Sequence, residues 1–318
     1  MECVVCQSPS KILYSNLSDR VHTDVIGTYT LRQCPTCDLL FINPPPPPEK
    51  LIQHYPENYH VYERKLIKLS TRQEWITKLV AKHYLGYGRS NFFMRILLTP
   101  FYYKLMHLPQ RVERGKILDV GCGTGTRLPM FKLLGWQSEG IEMSQQAANI
   151  ANESGFKVQC GSLENINAPE NWYDVVYLNN VFEHFVDPVD ALKKIRRILK
   201  PNGQLALVVP NKNSLGFKLF RQHWFALEVP RHLFTFNRYN ITKLLVKRGF
   251  IITKTRYCYN FGSFSSSLAN YFNKPIENFA FIDRLTWLMA FILDPVMNVL
   301  GIGDWMVVHA RREAGIDD

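Results

Sequence analysis

The feature that most constrains the fold of this 318-residue chain is a short apolar run that breaks into closely spaced glycines. Ile117, Leu118 and Val120 predict a buried strand, and Gly-x-Gly-x-Gly follows at residues 121–125. Glycines allow a sharp turn and the close approach of a ligand that any Cβ would exclude. Glu142 ends the next apolar run, where an acidic side chain can accept hydrogen bonds from ribose hydroxyls. The arrangement therefore predicts a nucleotide-cofactor pocket.

A regular alternation of strands and helices follows this motif. Apolar runs predict further strands at residues 137–142, 156–160, 173–178, 204–209 and 304–310. Ser144 is placed to cap a helix that runs to about Ser154. Strands that alternate with helices in this way form a parallel sheet, with ligand sites at the carboxyl ends of the strands.

The glycine spacing distinguishes between cofactors, because a dinucleotide fingerprint has a third glycine where this chain has Thr126. The run ILDVGCGTG instead resembles motif I of the class I S-adenosylmethionine-dependent methyltransferases. Residues 173–211, YDVVYLNNVFEHFVDPVDALKKIRRILKPNGQLALVVPN, resemble the ubiquinone-biosynthesis-like branch of that family. The resemblance covers roughly residues 110–260. It implies a Rossmann-like α/β sheet with helices on both faces and S-adenosylmethionine as the cofactor.

The same resemblance implies roles for residues around the cofactor. Gly121, Gly123 and Gly125 would cradle its methionine part, and Asp119 would hold the loop or the amino group. The other expected contacts are Glu142 with the ribose, Met143 with the adenine, and Cys122, Ser162, Leu163 and Asn179 elsewhere in the pocket. Gly161-Ser162 departs from the family pattern, in which Asp often follows the glycine.

The candidate chemistry follows the fourth predicted strand. We expect Glu183 and His184 at the carboxyl edge of the sheet, joined by His232 from a loop after the fifth strand. Related enzymes build a divalent-metal cluster from Glu-x-x-Glu-His and a later His, but Asn180 replaces the first Glu here. Three interpretations stay open: acid/base chemistry or acceptor orientation by a histidine, a site for a metal such as Mg²⁺, or hydrogen bonds that only shape the loop.

Two Cys-x-x-Cys pairs near the N-terminus predict a structural zinc ribbon that precedes the sheet. The pairs are Cys3 with Cys6 and Cys34 with Cys37. Four thiolates leave no open coordination position, so the metal would support folding rather than catalysis. The alternatives are a redox dithiol or a ribbon that has lost its metal.

The chain is expected to divide into three parts. These are a ribbon with a proline-rich spacer at 1–48, a helical linker or lid at 49–109, and a methyltransferase domain at 110–318 with an apolar helical insertion at about 262–303. The ribbon together with His54-Tyr55-Pro56-Glu57-Asn58-Tyr59 resembles the N-terminal part of zinc-ribbon methyltransferases from surface-glycan and secondary-metabolite biosynthesis.

Two apolar segments flank the predicted sheet, at residues 92–108 and 285–303. Neither is expected to span about 30 Å of hydrocarbon, because Pro100 interrupts the first and Asp294-Pro295 breaks the second. They could pack on the domain as a lid or a dimer face. The other interpretation is peripheral docking to a membrane or a lipid-linked acceptor, which the net charge of +11 would favour.

These observations favour methyl transfer to oxygen or carbon of a small, glycan-type or lipid-linked metabolite, with an acidic acceptor favoured by the basic charge. One rival is a zinc-ribbon RNA methyltransferase, which ranks lower because the positive residues are dispersed and no RNA-binding motif accompanies the ribbon. Another is a non-catalytic scaffold that binds the cofactor. No signal peptide precedes Cys3, so a cytoplasmic protein is expected, and the oligomeric state stays open.

Overall fold

The computed structural model describes residues 2–21, 25–55, 68–112, 115–259 and 262–315. Residues 56–67 of the predicted linker, which include part of the His54–Tyr59 segment, lie outside the described residues. The N-terminal elements are β1 (Lys11–Leu17), β2 (Tyr29–Gln33), β3 (Leu40–Ile42), α1 (Pro48–Ile52), α2 (Thr71–Tyr84) and α3 (Phe92–Leu105).

A longer alternation of strands and helices follows. Its elements are β4 (Lys116–Val120), α4 (Leu128–Leu133), β5 (Gln137–Glu142), α5 (Gln145–Glu153), β6 (Lys157–Cys160), β7 (Tyr173–Asn179), α6 (Pro188–Ile198), β8 (Leu199–Pro210), α7 (Leu215–Phe220), β9 (Phe234–Thr235), α8 (Arg238–Val246), β10 (Phe250–Cys258), α9 (Ser263–Phe272), α10 (Ala280–Leu300) and β11 (Trp305–Arg312). Short 3₁₀ turns cover Leu163–Asn165, Phe182–His184, Arg221–His223, Phe225–Leu227 and Ile276–Phe279.

The larger sheet has seven strands in the order β10-β11-β8-β7-β4-β5-β6. The five strands from β8 to β6 are parallel, and β11 is antiparallel to both of its neighbours. Successive side chains point to opposite faces of a strand. Leu118 therefore packs in one apolar cluster with α6 and α8, and Ile117 packs in a second cluster with α3 and α4. The predicted Rossmann-like sheet with helices on both faces is confirmed.

Local signals account for the helix starts in this region. The Ser144 hydroxyl accepts a hydrogen bond from Ala147 N at 3.2 Å, as expected for the residue that caps α5. Asp187 caps α6 in the same way, with Pro188 at the first helical position. Strand β8 begins five residues before the predicted residue 204, because Leu199 already pairs with Tyr173 ahead of a register shift.

The smaller sheet has the order β1-β2-β3-β9 and is antiparallel. Its first three strands come from the predicted ribbon, while β9 comes from the chain beyond β8. Leu40 and Phe41 of β3 pair with Thr235 and Phe234 of β9. The ribbon is therefore joined to the larger domain by backbone hydrogen bonds as well as by side chains.

The predicted interruptions at Pro100 and at Asp294-Pro295 were both wrong. α3 continues through Pro100 from Phe92 to Leu105, and α10 continues through Pro295 from Ala280 to Leu300. α10 is fixed where the break was expected, since Asp294 Oδ1 accepts a hydrogen bond from Tyr259 N at 2.9 Å. Among the residues that the structure describes, no helix combines the length and the apolar character needed to cross a membrane.

Candidate active site

The turn after β4 depends on three glycines in the left-handed region, with φ of +66° at Gly121, +55° at Gly123 and +79° at Gly125. Residues with a side chain rarely adopt this conformation. An ideal Cβ on Gly121 would lie 2.5 Å from Val181 Cγ2. The loop after β7, which carries Val181, therefore packs directly on the glycine turn, and the cofactor and acceptor candidates share one edge of the sheet.

Glu142 holds this turn from the end of β5. Its Oε2 accepts a hydrogen bond from Gly123 N at 2.8 Å, and its Oε1 accepts one from Ser144 N at 2.9 Å. Burial raises the pKa of the Glu142 carboxyl, and the backbone donors oppose that rise. The Glu142 carbonyl also accepts a hydrogen bond from Gly161 N at 2.9 Å, which brings the end of β6 alongside. The predicted cofactor loops thus meet at Glu142.

Asp119, the second predicted carboxylate, lies one residue before the end of β4 and is buried. Burial raises its pKa to about 7; the charge of Arg127 opposes that rise, and the charge of Glu142 adds to it. Within the described chain, Asp119 Oδ2 and Thr124 Oγ1 are buried atoms without a hydrogen-bond partner. Such atoms require a donor from a ligand or from water. S-adenosylmethionine fits this set, since it brings an ammonium group, ribose hydroxyls and a sulfonium charge to the glycine turn.

The other predicted cofactor residues lie around this edge. Cys122 is buried in the glycine turn, and Met143 is exposed directly after Glu142. Ser162 precedes the 3₁₀ turn that begins with the buried Leu163. Asn179 ends β7, next to the parallel strand β4. The structure brings these residues to the carboxyl edge, while their contacts with the cofactor stay predictions.

Arg127 is a further candidate, which was not among the predicted site residues. It precedes α4, two residues after the glycine turn, and its guanidinium donates to Asn179 Oδ1 in the amide orientation that satisfies both groups. Its charge also lowers the pKa of Asp119 against the effect of burial. An arginine between Asp119 and Asn179 could bind a negatively charged group of the cofactor, such as a carboxylate. The only sequence signal was a basic residue shortly after the motif.

On the acceptor side, the structure brings together the three predicted residues. Glu183 and His184 lie in the 3₁₀ turn after β7, and the rings of His184 and His232 are 4.8 Å apart between centroids. One ligand atom from each of Glu183, His184 and His232 lies within 4.8 Å of the others. The sequence could not supply these distances, because Glu183 and His184 are far from His232 along the chain. The fold brings the three residues together.

Hydrogen bonds define the tautomers of both histidines. His184 Nδ1 lies 2.9 Å from Arg231 O, and His232 Nδ1 lies 2.8 Å from Ala226 O. A carbonyl oxygen can only accept, so each Nδ1 carries the hydrogen and each Nε2 keeps its lone pair. The Nε2 atom of His232 faces Glu183 Oε1 at 3.9 Å and Glu228 Oε2 at 3.7 Å, distances too long for hydrogen bonds.

Burial controls the charges in this cluster. It raises the pKa of the Glu183 carboxyl well above its ordinary value, and the nearby Glu228 adds to the rise. It lowers the pKa of His184 and of His232 to about 3 each. Both rings are therefore neutral at pH 7, so each Nε2 is free of a proton and can bind a metal, while the low pKa makes each ring a weak base. Neither oxygen of the buried Glu183 has a hydrogen-bond partner among the described residues.

The chemistry of this donor set limits the choice of metal. Two imidazole nitrogens and one carboxylate suit Zn²⁺, Mn²⁺ or Fe²⁺ better than Mg²⁺, which prefers oxygen ligands. Asn180, which replaces the family's first Glu, has φ of +55° and a buried Oδ1 that lacks a partner in the described structure. An amide oxygen without a partner can bind a metal or accept a hydrogen bond from an acceptor hydroxyl.

Two further contacts on the acceptor side were not predicted. The Tyr55 hydroxyl lies 2.9 Å from His184 Nδ1. Arg231 is fully buried, and its Nη1 donates to Asp19 Oδ2 at 2.8 Å and to His54 O at 3.4 Å. These partners lie 212 and 177 residues away along the chain, so no local pattern could have indicated them.

The contacts of Arg231 form part of a buried network between the ribbon and the acceptor loop. His54 Nδ1 lies 2.7 Å from Asp19 Oδ2, and His54 Nε2 lies 2.9 Å from the Tyr29 hydroxyl. Asp19 follows β1 and Tyr29 begins β2, whereas Arg231 immediately precedes His232. The ribbon thus holds the backbone on which His232 and the carbonyl partner of His184 are placed.

The four predicted zinc ligands form a second cluster. Cys3 Sγ lies 3.5 Å from Cys37 Sγ, Cys6 Sγ lies 3.4 Å from Cys34 Sγ, and all four sulfurs lie within 4.8 Å of one another. Zinc–thiolate bonds of about 2.3 Å in a tetrahedron separate the sulfurs by about 3.8 Å. The two knuckles also match, because Gln7 and Asp38, each directly after a pair, have φ of +60° and +61°. The cluster is compatible with a zinc ribbon.

Comparison with known proteins agrees with this geometry. Residues 98–255 match the family model for a methyltransferase domain. A ubiquinone biosynthesis O-methyltransferase of Bradyrhizobium diazoefficiens is 30% identical over 151 residues, which are 44% of this chain and 59% of that protein. The protein of the same name from Marinobacter nauticus is 32% identical over 125 residues, 36% of this chain and 52% of that one. The chain thus spans little more than half the length of these relatives.

Solved structures also resemble this chain. An S-adenosylmethionine-dependent methyltransferase from Mesorhizobium loti aligns with a TM-score of 0.45 at 15% identity, and the alignment covers 65% of this chain and 95% of that one.

Proposed function

We propose that this protein, whose central domain belongs to the class I S-adenosylmethionine-dependent methyltransferases, methylates an oxygen or carbon atom of a small, glycan-type or lipid-linked acceptor. The observation that carries the proposal is the meeting of two sites at one edge of the sheet. The glycine turn held by Glu142 packs against the loop that leads to Glu183 and His184. A cofactor in the first site would therefore lie beside an acceptor in the second.

The cofactor side would act by binding and orientation. Bound S-adenosylmethionine supplies an electrophilic methyl group, so the protein needs no covalent intermediate. Glu142 would accept hydrogen bonds from the ribose, Asp119 would face the ammonium group, and Arg127 would face the carboxylate. Most of the acceleration would come from holding the acceptor in line and excluding water.

The acceptor side would remove a proton. The neutral rings of His184 and His232 each keep a lone pair on Nε2, the atom that a general base uses, although pKa values of about 3 make both rings weak bases before an acceptor or a metal binds beside them. An acceptor hydroxyl or an acidic carbon could give its proton to one of these atoms as the methyl bond forms. A metal held by Glu183 and the two histidines would lower the acceptor pKa instead. The unpartnered Glu183 supports this alternative.

We also propose that the four cysteines bind one Zn²⁺, which folds the ribbon and takes no part in the reaction. The closely grouped sulfurs and the matched knuckle turns support this role. The net charge of +11 supports an acceptor with acidic groups.

Calorimetry with S-adenosylmethionine tests the cofactor site. Glu142→Ala removes a buried acceptor that is worth roughly 1.5–3 kcal/mol toward the ribose, so the Kd should rise about 10- to 100-fold. Glu153→Ala, at the exposed end of α5, is the matched control and should leave the Kd unchanged. Equal affinity of the two variants would exclude Glu142 from the cofactor site.

Transfer of label tests the activity itself. The protein is incubated with tritiated-methyl S-adenosylmethionine and a cell extract that is afterwards separated into lipid, small-molecule, protein and RNA fractions. We expect label in the lipid or small-molecule fraction. Label in RNA alone would favour the RNA methyltransferase, and cofactor binding without transfer to any fraction would favour the scaffold.

A further inference from the structure

Among the side chains of α10 that the structure describes, six large apolar ones face solvent along one side of the helix, and we call them the apolar stripe. Large exposed apolar residues on this helix are Phe281, Leu285, Met289, Val296, Val299 and Leu300. At about 100° per residue they fall within an arc of about 100°. A helix of this length extends about 32 Å. The described side chains in this arc are therefore apolar and exposed, which is the reverse of an ordinary surface helix.

The opposite face of α10 is fixed to the domain. Asp294 Oδ1 accepts a hydrogen bond from Tyr259 N, and Asn298 Oδ1 accepts one from Tyr257 N, each at 2.9 Å. Met297 is buried on the same side. These two hydrogen bonds near the end of β10 fix the orientation of α10, so that its apolar stripe points away from the domain.

A neighbouring helix extends this surface. α3 contacts α10, and Phe92 and Phe93 in its first turn are 73% and 78% exposed. Ile96 and Leu97 are exposed on the following turn, whereas Leu98 and Tyr102 face the core. We call the exposed apolar residues of α3 and α10 together the apolar platform. Exposed apolar patches of this kind mark surfaces that meet a partner or a membrane.

The charge around the apolar platform identifies its partner. From α2 through α3, residues 71–105 contain six Lys or Arg residues and one acidic residue, Glu74, and α10 adds Asp283, Arg284 and Asp294, so basic residues predominate. Lys254 adds positive charge beside α3, with its Nζ 5.4 Å from the Tyr102 ring centroid. Two copies that met through this surface would bring the same positive charges together. An anionic lipid surface instead accepts both the apolar side chains and the charge.

We propose that the apolar platform docks this protein on the surface of an anionic lipid bilayer, without crossing it. Phe92, Phe93 and the stripe of α10 enter the boundary between headgroups and acyl chains, and the basic residues contact the headgroups. α9 connects α10 to the acceptor loop, because α9 contacts α10, Ser267 Oγ of α9 accepts a hydrogen bond from Phe225 N at 3.1 Å, and Ala226 O accepts one from His232. A lipid-linked acceptor would thus be presented to the candidate base.

Vesicle flotation tests this surface independently of methyl transfer. The full-length protein is mixed with vesicles of phosphatidylcholine alone or with 30% phosphatidylglycerol. We expect flotation with the anionic vesicles only, reduced by 0.5 M salt. The double variant Phe92→Ser/Phe93→Ser should bind at least about tenfold more weakly. Tyr239→Ser/Val246→Ser changes two exposed apolar residues of α8 outside the platform and should bind like the wild type.

Three results would overturn the proposal. The first is equal flotation with neutral and anionic vesicles, and the second is equal binding by the two double variants. The third is a dimer in vesicle-free solution that Phe92→Ser/Phe93→Ser dissociates, since this would assign the platform to a second copy. The affinity for S-adenosylmethionine, measured on the same variants, checks that they are folded. If the wild-type protein did not bind S-adenosylmethionine, this result would count against the proposed function and not against docking.

Discussion

The buried contact between Asp19 and Arg231 gives the sharpest test of how the ribbon supports the acceptor side. Both side chains are at most 1% exposed, and Asp19 Oδ2 lies 2.8 Å from Arg231 Nη1 and 2.7 Å from His54 Nδ1. Asp19→Asn keeps the shape but removes the buried counter-charge at 2.8 Å and leaves the guanidinium only the longer contact with Glu228, at 3.5 Å. Breaking a buried pair in this way costs about 3–5 kcal/mol.

The expected shift in melting temperature follows from that cost. Unfolding entropy of about 2.1 cal/mol/K per residue gives about 0.7 kcal/mol/K for this chain, so Asp19→Asn should melt about 5–7 °C lower. Asp190→Asn is the matched control, because its pair with Lys194 at 2.6 Å is partly exposed. That pair is worth less than about 1 kcal/mol, or about 1 °C. Equal shifts in differential scanning calorimetry would refute the argument.

The same variant should separate binding from turnover. Arg231 supplies the carbonyl that fixes the tautomer of His184, and it immediately precedes His232. Asp19→Asn should therefore lower the rate of methyl transfer while the Kd for S-adenosylmethionine stays within about twofold, since the cofactor contacts lie at Glu142 and the glycine turn. A parallel loss of cofactor affinity would show that the network supports the whole domain and not the acceptor loop.

The remaining predictions concern the other charged groups. Burial raises the pKa of Asp119 to about 7, so a cationic cofactor, which favours the ionised carboxylate, should bind more tightly as the pH rises from 6 to 8. Calorimetry of Asp119→Asn should show a flatter pH profile. His184→Ala and His232→Ala should each lower turnover roughly 10²- to 10⁴-fold at nearly constant cofactor Kd, and dependence of the wild-type rate on added Mn²⁺ or Zn²⁺ would favour the metal role. Elemental analysis of anaerobically purified protein should find one zinc per chain, and Cys34→Ser should lose it.

Much of the fold could be predicted because its signals are local. The strand at residues 137–142 and the cap at Ser144 agree with the structure, since both depend on side chains within a few residues. The helix through Pro295 could not be predicted in this way. A proline favours a break locally, but hydrogen bonds from β10 to Asp294 and Asn298 hold the chain helical.

In the candidate site, too, the residues with local sequence signals could be predicted, and those held by distant contacts could not. Glu142 and the glycines follow predicted strands directly, and their positions at the carboxyl edge could be read from the motif. Arg231, Tyr55 and Asp19 could not, because each acts through a partner more than a hundred residues away. The low pKa values of the histidines also depend on burial by distant segments, and this burial cannot be predicted from the local sequence.

The ribbon is better understood as one wall of the candidate acceptor site than as an independent module. A unit of about 40 residues buries too little apolar surface to fold alone, so it needs a metal or a neighbour. This ribbon has candidates for both: Cys34 and Leu40 lie in the same apolar cluster as Leu118 of the large sheet. Loss of the zinc should then expose the loop around Arg231 and the pairing of β3 with β9. Turnover would therefore fall before cofactor binding, because β4 and β5 keep their own packing with each other.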